Sequence, residues 1–359
     1  MNKIIFYLIV NRIIILLLAF FLSGIRHFYN FLLTFGGRWD GNSYTFLATH
    51  GYVIQGPEKS FLVFPPLYPA FIKIFSLFGL DPILSGVIIS NVFFVLGMVV
   101  LYKLVESTWN KKVALSTVIL ISVFPTTYFF SIAYPESLFV FLFSLSFYFA
   151  HKKSFLLSAL IGGFATMTRP FGLVIFPSIL VFMLNAKRLN LKNLLLTVLL
   201  FTLPILPYFH INYSLFGSPL AFTTLLKQNW QKSFDFPWNG IVSSWKRGIF
   251  TTDSFSYKYF VGYAEAITST IAWIFVALGA KMWKIKSPYF LYLFLGTFFF
   301  TSTGFILSAP RYLLSIPPFF ILFAELISKK RFILFIFAPI CLGLLLWFIH
   351  NFALGQWAF

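Results

Sequence analysis

Arg38-Trp39-Asp40-Gly41 runs on through Asn42, Tyr44 and Ala48 to His50-Gly51-Tyr52. The stretch is polar and turn-rich, and it follows the first hydrophobic run of the chain. Asp40 is one of nine acidic residues in 359. An aspartate beside a membrane, flanked by an arginine and a tryptophan, can serve as a base that takes a proton from a hydroxyl. The same aspartate can instead pair with Arg38 and order a loop. Charge alone does not choose between the two.

Around this stretch the chain is overwhelmingly apolar. Hydrophobic residues make up 59% of it, charged residues 10% and aromatics 22%, with 52 Phe. No soluble domain hides that much apolar surface, so the bilayer is part of the solvent and the expected class is an all-α polytopic membrane protein. The pattern reads as one integral membrane domain over residues 1–359, with membrane lipids as partners. Its place is the plasma membrane, or the ER membrane in a eukaryote. The lone Cys341 sits in an apolar run, which leaves no disulfide framework. Lys3 and an apolar run without a small-residue cleavage site read as a retained anchor rather than a signal peptide. The net charge of +18 is scattered between apolar runs, which fits membrane topology and anionic lipid and gives no sign of nucleic acid.

Apolar runs bounded by Lys and Arg place about eleven spans, at 4–25, 82–105, 113–133, 136–150, 154–168, 170–186, 193–215, 257–280, 288–307, 312–328 and 332–354. A polar outer loop is expected from 26 to about 60. Residues 61–80 are apolar enough to cross but hold Pro65, Pro66, Pro69 and Lys73, which favours a helix lying at the outer interface. Together, 26–80 forms the expected catalytic outer region, and 217–256 a second large outer loop. Asp81-Pro82 has the cap-then-proline form of a helix start. An inside N-terminus puts Lys3, Lys103, Lys111, Lys112, Lys152, Lys153, Lys187, Arg188, Lys192, Lys281, Lys284, Lys286, Lys329, Lys330 and Arg331 in short inner loops. That is 15 of the 27 basic residues, and the positive-inside rule then sets Asp40 outside.

The carboxylates on that outer side are Asp40, Glu58, Asp81, Glu136, Asp235, Asp253 and Glu265. Glu136, in Tyr134-Pro135-Glu136-Ser137, opens a span, where the helix dipole favours a carboxylate. It is also the second candidate for acid–base work. Glu265 lies a little way into a span and needs a partner, Lys258 or a polar neighbour. Arg169 and Arg311 each stand where a span meets the outer surface; either can anchor the interface or hold a phosphate. Their loss is expected to weaken anion binding more than folding. Lys227 is a further cation, and Trp39, Tyr44, His50, Trp230 and Trp238 are candidates to contact a ligand, although interfacial aromatics also form belts. The five histidines lack ligand spacing, and no Asp-x-Asp occurs, so neither a metal nor another cofactor is expected.

Arg-Trp-Asp-Gly-x-x-Tyr-x-x-x-Ala-x-x-Gly-Tyr at 38–52 resembles the signature of the GPI mannosyltransferase II (PIG-V type) family and its prokaryotic relatives, which are GT-C glycosyltransferases. Other blocks follow in the same order. Phe64-Pro65-Pro66-Leu67-Tyr68-Pro69, Tyr134-Pro135-Glu136-Ser137-Leu138-Phe139 and Thr168-Arg169-Pro170-Phe171-Gly172 are similar to segments of that family. So are Phe216-Gly217-Ser218-Pro219-Leu220-Ala221-Phe222 with Trp230 and Trp238, and Pro310-Arg311-Tyr312. The resemblance implies a GT-C fold, a polyprenyl-phosphate sugar donor, a glycan or lipid acceptor, and inverting transfer of mannose with Asp40 as base. Arg169, Arg311 or Lys227 would then balance the phosphate, Trp39, Tyr44, Trp230 and Trp238 would stack on sugar faces, and Arg38 and His50 would complete the substrate-binding set. Two rivals are a transporter or flippase of lipid-linked substrates, which usually shows inverted repeats absent here, and a lipid-binding assembly subunit.

Overall fold

The computed structural model describes residues 1–329 and 332–359; Lys330 and Arg331, counted above among the inner cations, lie outside the described residues. Among the described residues the chain is helical throughout, with one isolated bridge between Phe234 and Thr303. Each of the eleven apolar runs holds a helix, and the starts follow local chemistry. Asp81 Oδ1 accepts the backbone N–H of Ile83 at 2.8 Å, so the Asp-Pro pair caps the helix Pro82–Thr108. Asn110 and Asn190 cap the helices Lys111–Val123 and Leu191–Thr202 in the same way.

Length separates these helices. Among the described residues, four are long and apolar enough to cross a membrane: Asn2–Ser23, Pro82–Thr108, Tyr257–Trp283 and Ile336–Ala353. Two bent pairs bring the number to as many as six, against the eleven runs of the sequence. Leu191–Thr202 and Leu206–Phe216 meet at 52° around Pro204, and Ala309–Ser315 meets Pro317–Lys329 at 86° before Pro317-Pro318. Proline removes a helix hydrogen bond and clashes with the preceding turn, which accounts for both breaks. Glu136–His151, Phe155–Thr166 and Pro288–Thr301 fall short of the ~20 residues that cross a bilayer. The protein is a multi-pass membrane protein.

The polar connections are not open loops. Residues 26–60 carry the helices Phe28–Gly36 and Asp40–His50, and 217–256 carries Ala221–Trp230 and Pro237–Phe250. The expected interfacial helix over 61–80 contracts to Leu67–Ser76, because Pro65 and Pro66 stop it from starting earlier while Pro69 sits in its first turn.

The chain groups into two compact units, residues 1–104 with 128–230 and residues 105–127 with 231–359. In the first unit, Asn2–Ser23 turns Leu8, Arg12, Ile15 and Ala19 inward, while Phe6, Ile9, Ile13, Leu17 and Phe21 face out. An outward row of that kind is the face a helix offers to lipid. Glu136–His151, Phe155–Thr166 and Leu191–Thr202 pack side by side, and Asp40–His50 lies on Leu67–Ser76. In the second unit, Lys111–Val123 packs on Pro317–Lys329, with Phe124 edge-on to Phe320 at 5.1 Å. The indole N–H groups of Trp109 and Trp283 both donate to Glu325 Oε2, at 3.2 and 2.9 Å.

Candidate active site

The site is built on the turn that links Phe28–Gly36 to Asp40–His50. Trp39 has φ 52° and ψ −123°, the conformation of the first central residue of a type II′ turn, where glycine is the usual occupant. The Gly41 N–H closes the turn on the Arg38 carbonyl at 3.0 Å. A tryptophan held there costs on the order of 1–3 kcal/mol, so the surroundings must enforce it. They do so through the segment before Glu136. The Tyr134 hydroxyl donates to the Arg38 carbonyl at 2.9 Å, and the Ala133 N–H donates to the Gly36 carbonyl at 3.1 Å. Gly41 has no room for a side chain, since a Cβ there would lie 2.7 Å from the Gly36 carbonyl oxygen.

This turn makes Asp40 the first residue of its helix, where the dipole favours its negative charge. Asp40 and Arg38 are half-buried, and Trp39 is 46% exposed. Burial pushes the Arg38 guanidinium down from its usual value. The face of the helix bearing Asn42, Thr45, Phe46 and Thr49 borders a groove of about 270 Å³ closed by Asp81, Pro82 and Ile83. At its far end His50 is exposed, stacked on Phe46 at 4.6 Å, with Nδ1 2.8 Å from the Thr49 hydroxyl.

Several sequence blocks meet here. Tyr44, expected at a sugar, is 4% exposed and packs against Phe64 at 4.9 Å and Tyr68 at 5.3 Å. Tyr68 reaches Ser90 at 2.8 Å, and the Ser90 hydroxyl donates to the Tyr134 carbonyl at 2.9 Å. Trp230 meets Phe64 edge-on at 5.9 Å, and the Tyr52 hydroxyl donates to the Phe64 carbonyl at 2.6 Å. Burial pushes the Tyr52 phenol well up, which keeps it a donor. Lys227 is exposed on Ala221–Trp230.

In the sequence Glu136 is an acid–base candidate and Arg169 a separate phosphate-ligand candidate. They form a buried ion pair with each other, Glu136 fully buried and Arg169 6% exposed. The turn carrying Arg169 is fixed by Leu67 N–H to the Met167 carbonyl at 3.0 Å. It needs Gly172, where a Cβ would fall 2.2 Å from the Thr166 nitrogen.

Trp238 and Arg311 belong to the second unit. Trp238 is exposed and stacked parallel on Phe236 at 4.7 Å. Arg311 is buried on the short helix Ala309–Tyr312, whose start is held by Glu265. The Glu265 carboxylate accepts the N–H groups of Ser308 and Ala309, both at 2.6 Å. Its polar neighbour is thus backbone, not Lys258. Lys232 Nζ approaches the Phe305 carbonyl at 3.3 Å, and Arg247 Nη2 the Ile306 carbonyl at 3.3 Å, bracketing the same loop. Sequence reasoning also passed over Arg12. It is buried in the middle of its helix against the Phe94 ring at 3.9 Å and the Ser131 hydroxyl at 3.3 Å. An arginine inside an apolar run is the signal that marks such a residue. Among the described residues no three of His, Cys, Asp and Glu come together as a metal site would need.

The sequence-family model for dolichyl-phosphate-mannose-protein mannosyltransferase matches residues 64–210. This window contains Glu136 and Arg169 but begins after Asp40, and it does not describe GPI mannosyltransferase II. Among solved structures the chain is similar to ArnT from Cupriavidus metallidurans bound to undecaprenyl phosphate, with a TM-score of 0.53 and 13% identity. That match covers 89% of this chain and 60% of ArnT. It is also similar to the Archaeoglobus fulgidus oligosaccharyltransferase tethered to an acceptor peptide, with TM-score 0.53, 12% identity and coverage of 98% and 55%. The archaeal oligosaccharyltransferase AglB from the same organism, in complex with an inhibitory peptide and a dolichol-phosphate, gives 0.52 and 12%, over 98% of this chain and 56% of that one. The chain shares the fold of these structures. It spans only about three-fifths or less of the length of these structures. No curated protein matches.

Proposed function

We propose that this protein transfers a sugar, most simply mannose, from a polyprenyl-phosphate carrier to an acceptor hydroxyl at the outer membrane face, with Asp40 as the base. The observation that carries the reading is the turn itself: a strained tryptophan, enforced by hydrogen bonds that another segment donates to the flanking carbonyls, fixes a half-exposed aspartate at a helix start. Strain maintained in that way is characteristic of sites where geometry matters to chemistry. The fold shared with ArnT bound to undecaprenyl phosphate and with AglB in complex with a dolichol-phosphate supports the choice of carrier.

In this reading the Asp40 carboxylate accepts the proton of the acceptor hydroxyl as its oxygen attacks the anomeric carbon. The carrier phosphate departs from the opposite face, which inverts the configuration. The leaving phosphate needs a cation, because charge-assisted hydrogen bonds strengthen as negative charge builds. Arg38 stands two residues from Asp40 and Lys227 is exposed in the same unit. Arg169 is the weaker candidate, since Glu136 already offsets its charge. Arg311 is an anion-binding candidate of the second unit, to be tested on its own.

The test is transfer of label from radiolabelled polyprenyl-phosphate mannose to extracted lipids by membranes containing the protein, with and without EDTA. Transfer that survives EDTA is expected. Labelled product absent from wild type but formed with a different polyprenyl-phosphate sugar would correct the sugar. Absence with every polyprenyl-phosphate donor would refute the class.

A further inference from the structure

Resting on the reading of Asp40 as base, we propose that Tyr134 is a positioning residue, whose hydroxyl holds the Arg38 carbonyl and so keeps the Trp39 peptide in the turn that aims Asp40. Tyr134 touches no reacting atom. It is fully buried, and its ring lies 5.1 Å from Phe129 and 6.2 Å from Tyr44. Its own carbonyl is held by Ser90, and the next residue back, Ala133, bonds Gly36. Tyr134 is therefore a rigid post on the segment that opens Glu136–His151, and its hydroxyl reaches across to the turn.

The turn needs that post. Trp39 occupies a glycine conformation, and its side chain is 46% exposed, so restraint applied directly to the turn's backbone matters. The Arg38 carbonyl accepts from the Gly41 N–H within the turn and from the Tyr134 hydroxyl outside it. Without the outside bond the peptide between Arg38 and Trp39 can rotate out of the strained region, and Asp40 moves with it. A misplacement of about an ångström in a reacting group costs up to roughly 100-fold in rate. Gly41 belongs to the same device, because a Cβ there would also meet the Tyr134 ring at 3.4 Å.

Two measurements on the full chain test this. Hydrogen exchange of Tyr134→Phe should be faster than wild type in peptides covering 37–42, where the Gly41 amide is bonded to Arg38, and unchanged over Glu136–His151. Equal exchange at 37–42 overturns the proposal without reference to any activity. In transfer from radiolabelled polyprenyl-phosphate mannose, Tyr134→Phe should lower kcat by about 10- to 100-fold with donor KM unchanged. In an Asp40→Asn background the same change should lower the residual rate no further, because coupled residues are not additive. A full additive loss in that background would make Tyr134 a folding residue only. Should Tyr134→Phe fail to accumulate, Gly41→Ala serves instead: it should shift exchange at 37–42 and lower kcat similarly, and wild-type values for both would overturn the account. If Asp40→Asn alone turns over normally, the reading of Asp40 fails, while the exchange result still reports on the post.

Discussion

Each unit of the molecule contains a non-glycine residue at positive φ immediately before a helix, and the two are held differently. In the first, Trp39 at φ 52° precedes Asp40–His50, and a neutral tyrosine hydroxyl restrains the turn through a carbonyl. In the second, Ser308 at φ 70° precedes Ala309–Tyr312, and a fully buried carboxylate, Glu265, restrains it through two N–H groups. The second arrangement uses the carboxylate as structure. The first leaves the carboxylate of Asp40 half-exposed on the turn, with the restraint supplied by a group that carries no charge. On the proposed reading, that difference separates an acid built into a scaffold from an acid presented for chemistry. Glu136, buried against Arg169, falls on the structural side.

The contrast can be sharpened by removing each restraint. The largest effect on stability is expected from Arg169→Met, which removes the ion-pair partner of the buried Glu136 and should cost about 3–5 kcal/mol in detergent unfolding. The double change Glu136→Met with Arg169→Met should recover most of it, because the desolvation of both charges disappears together. Recovery of stability without recovery of transfer would return the pair to the chemistry. Glu265→Gln should cost about 1–3 kcal/mol, since one of two buried N–H groups loses its acceptor. An unchanged unfolding midpoint would mean the Ser308 turn stands without the carboxylate. At the small end, Trp39→Gly and Ser308→Gly each relieve a strained φ. Both should raise stability, the first by about 1 kcal/mol and the second by about half that. Only Trp39→Gly should also slow transfer, because a freer turn no longer aims Asp40.

Hydropathy made the helices legible, and their interruptions were written in proline: Pro204 and Pro317-Pro318 stand at the bends. Asp40–His50 was not legible as a helix. It contains Gly41, Asn42, Ser43, Thr45 and Thr49, poor or indifferent helix formers, and its stability comes from Tyr44, Leu47 and Ala48 packing on Phe64, Tyr68 and Ile72. The same holds for Ala221–Trp230, which is anchored by Leu225 in that core. At the site, Asp40 could be read from its rarity and its neighbours. The Glu136–Arg169 pair could not, because 33 residues separate the partners and periodicity carries no information about contacts of that range. Nor could the role of Tyr134, which was visible in its block but depends on meeting a carbonyl 96 residues earlier.

The central claim is that Asp40 is presented for proton transfer rather than for folding. Its replacement should therefore have a small effect on stability and a large one on rate. Asp40→Asn is expected to shift stability by no more than about 1 kcal/mol, the scale of a carboxylate at a helix N-terminus. It should slow transfer from radiolabelled polyprenyl-phosphate mannose by about 100-fold or more, the scale of losing a general base. Asp40→Glu should also be slow, since the added methylene displaces the oxygen by more than about an ångström. An Asp40→Asn protein that folds and transfers sugar at a near-normal rate, or a ranking in which glutamate restores the wild-type rate, would contradict the account.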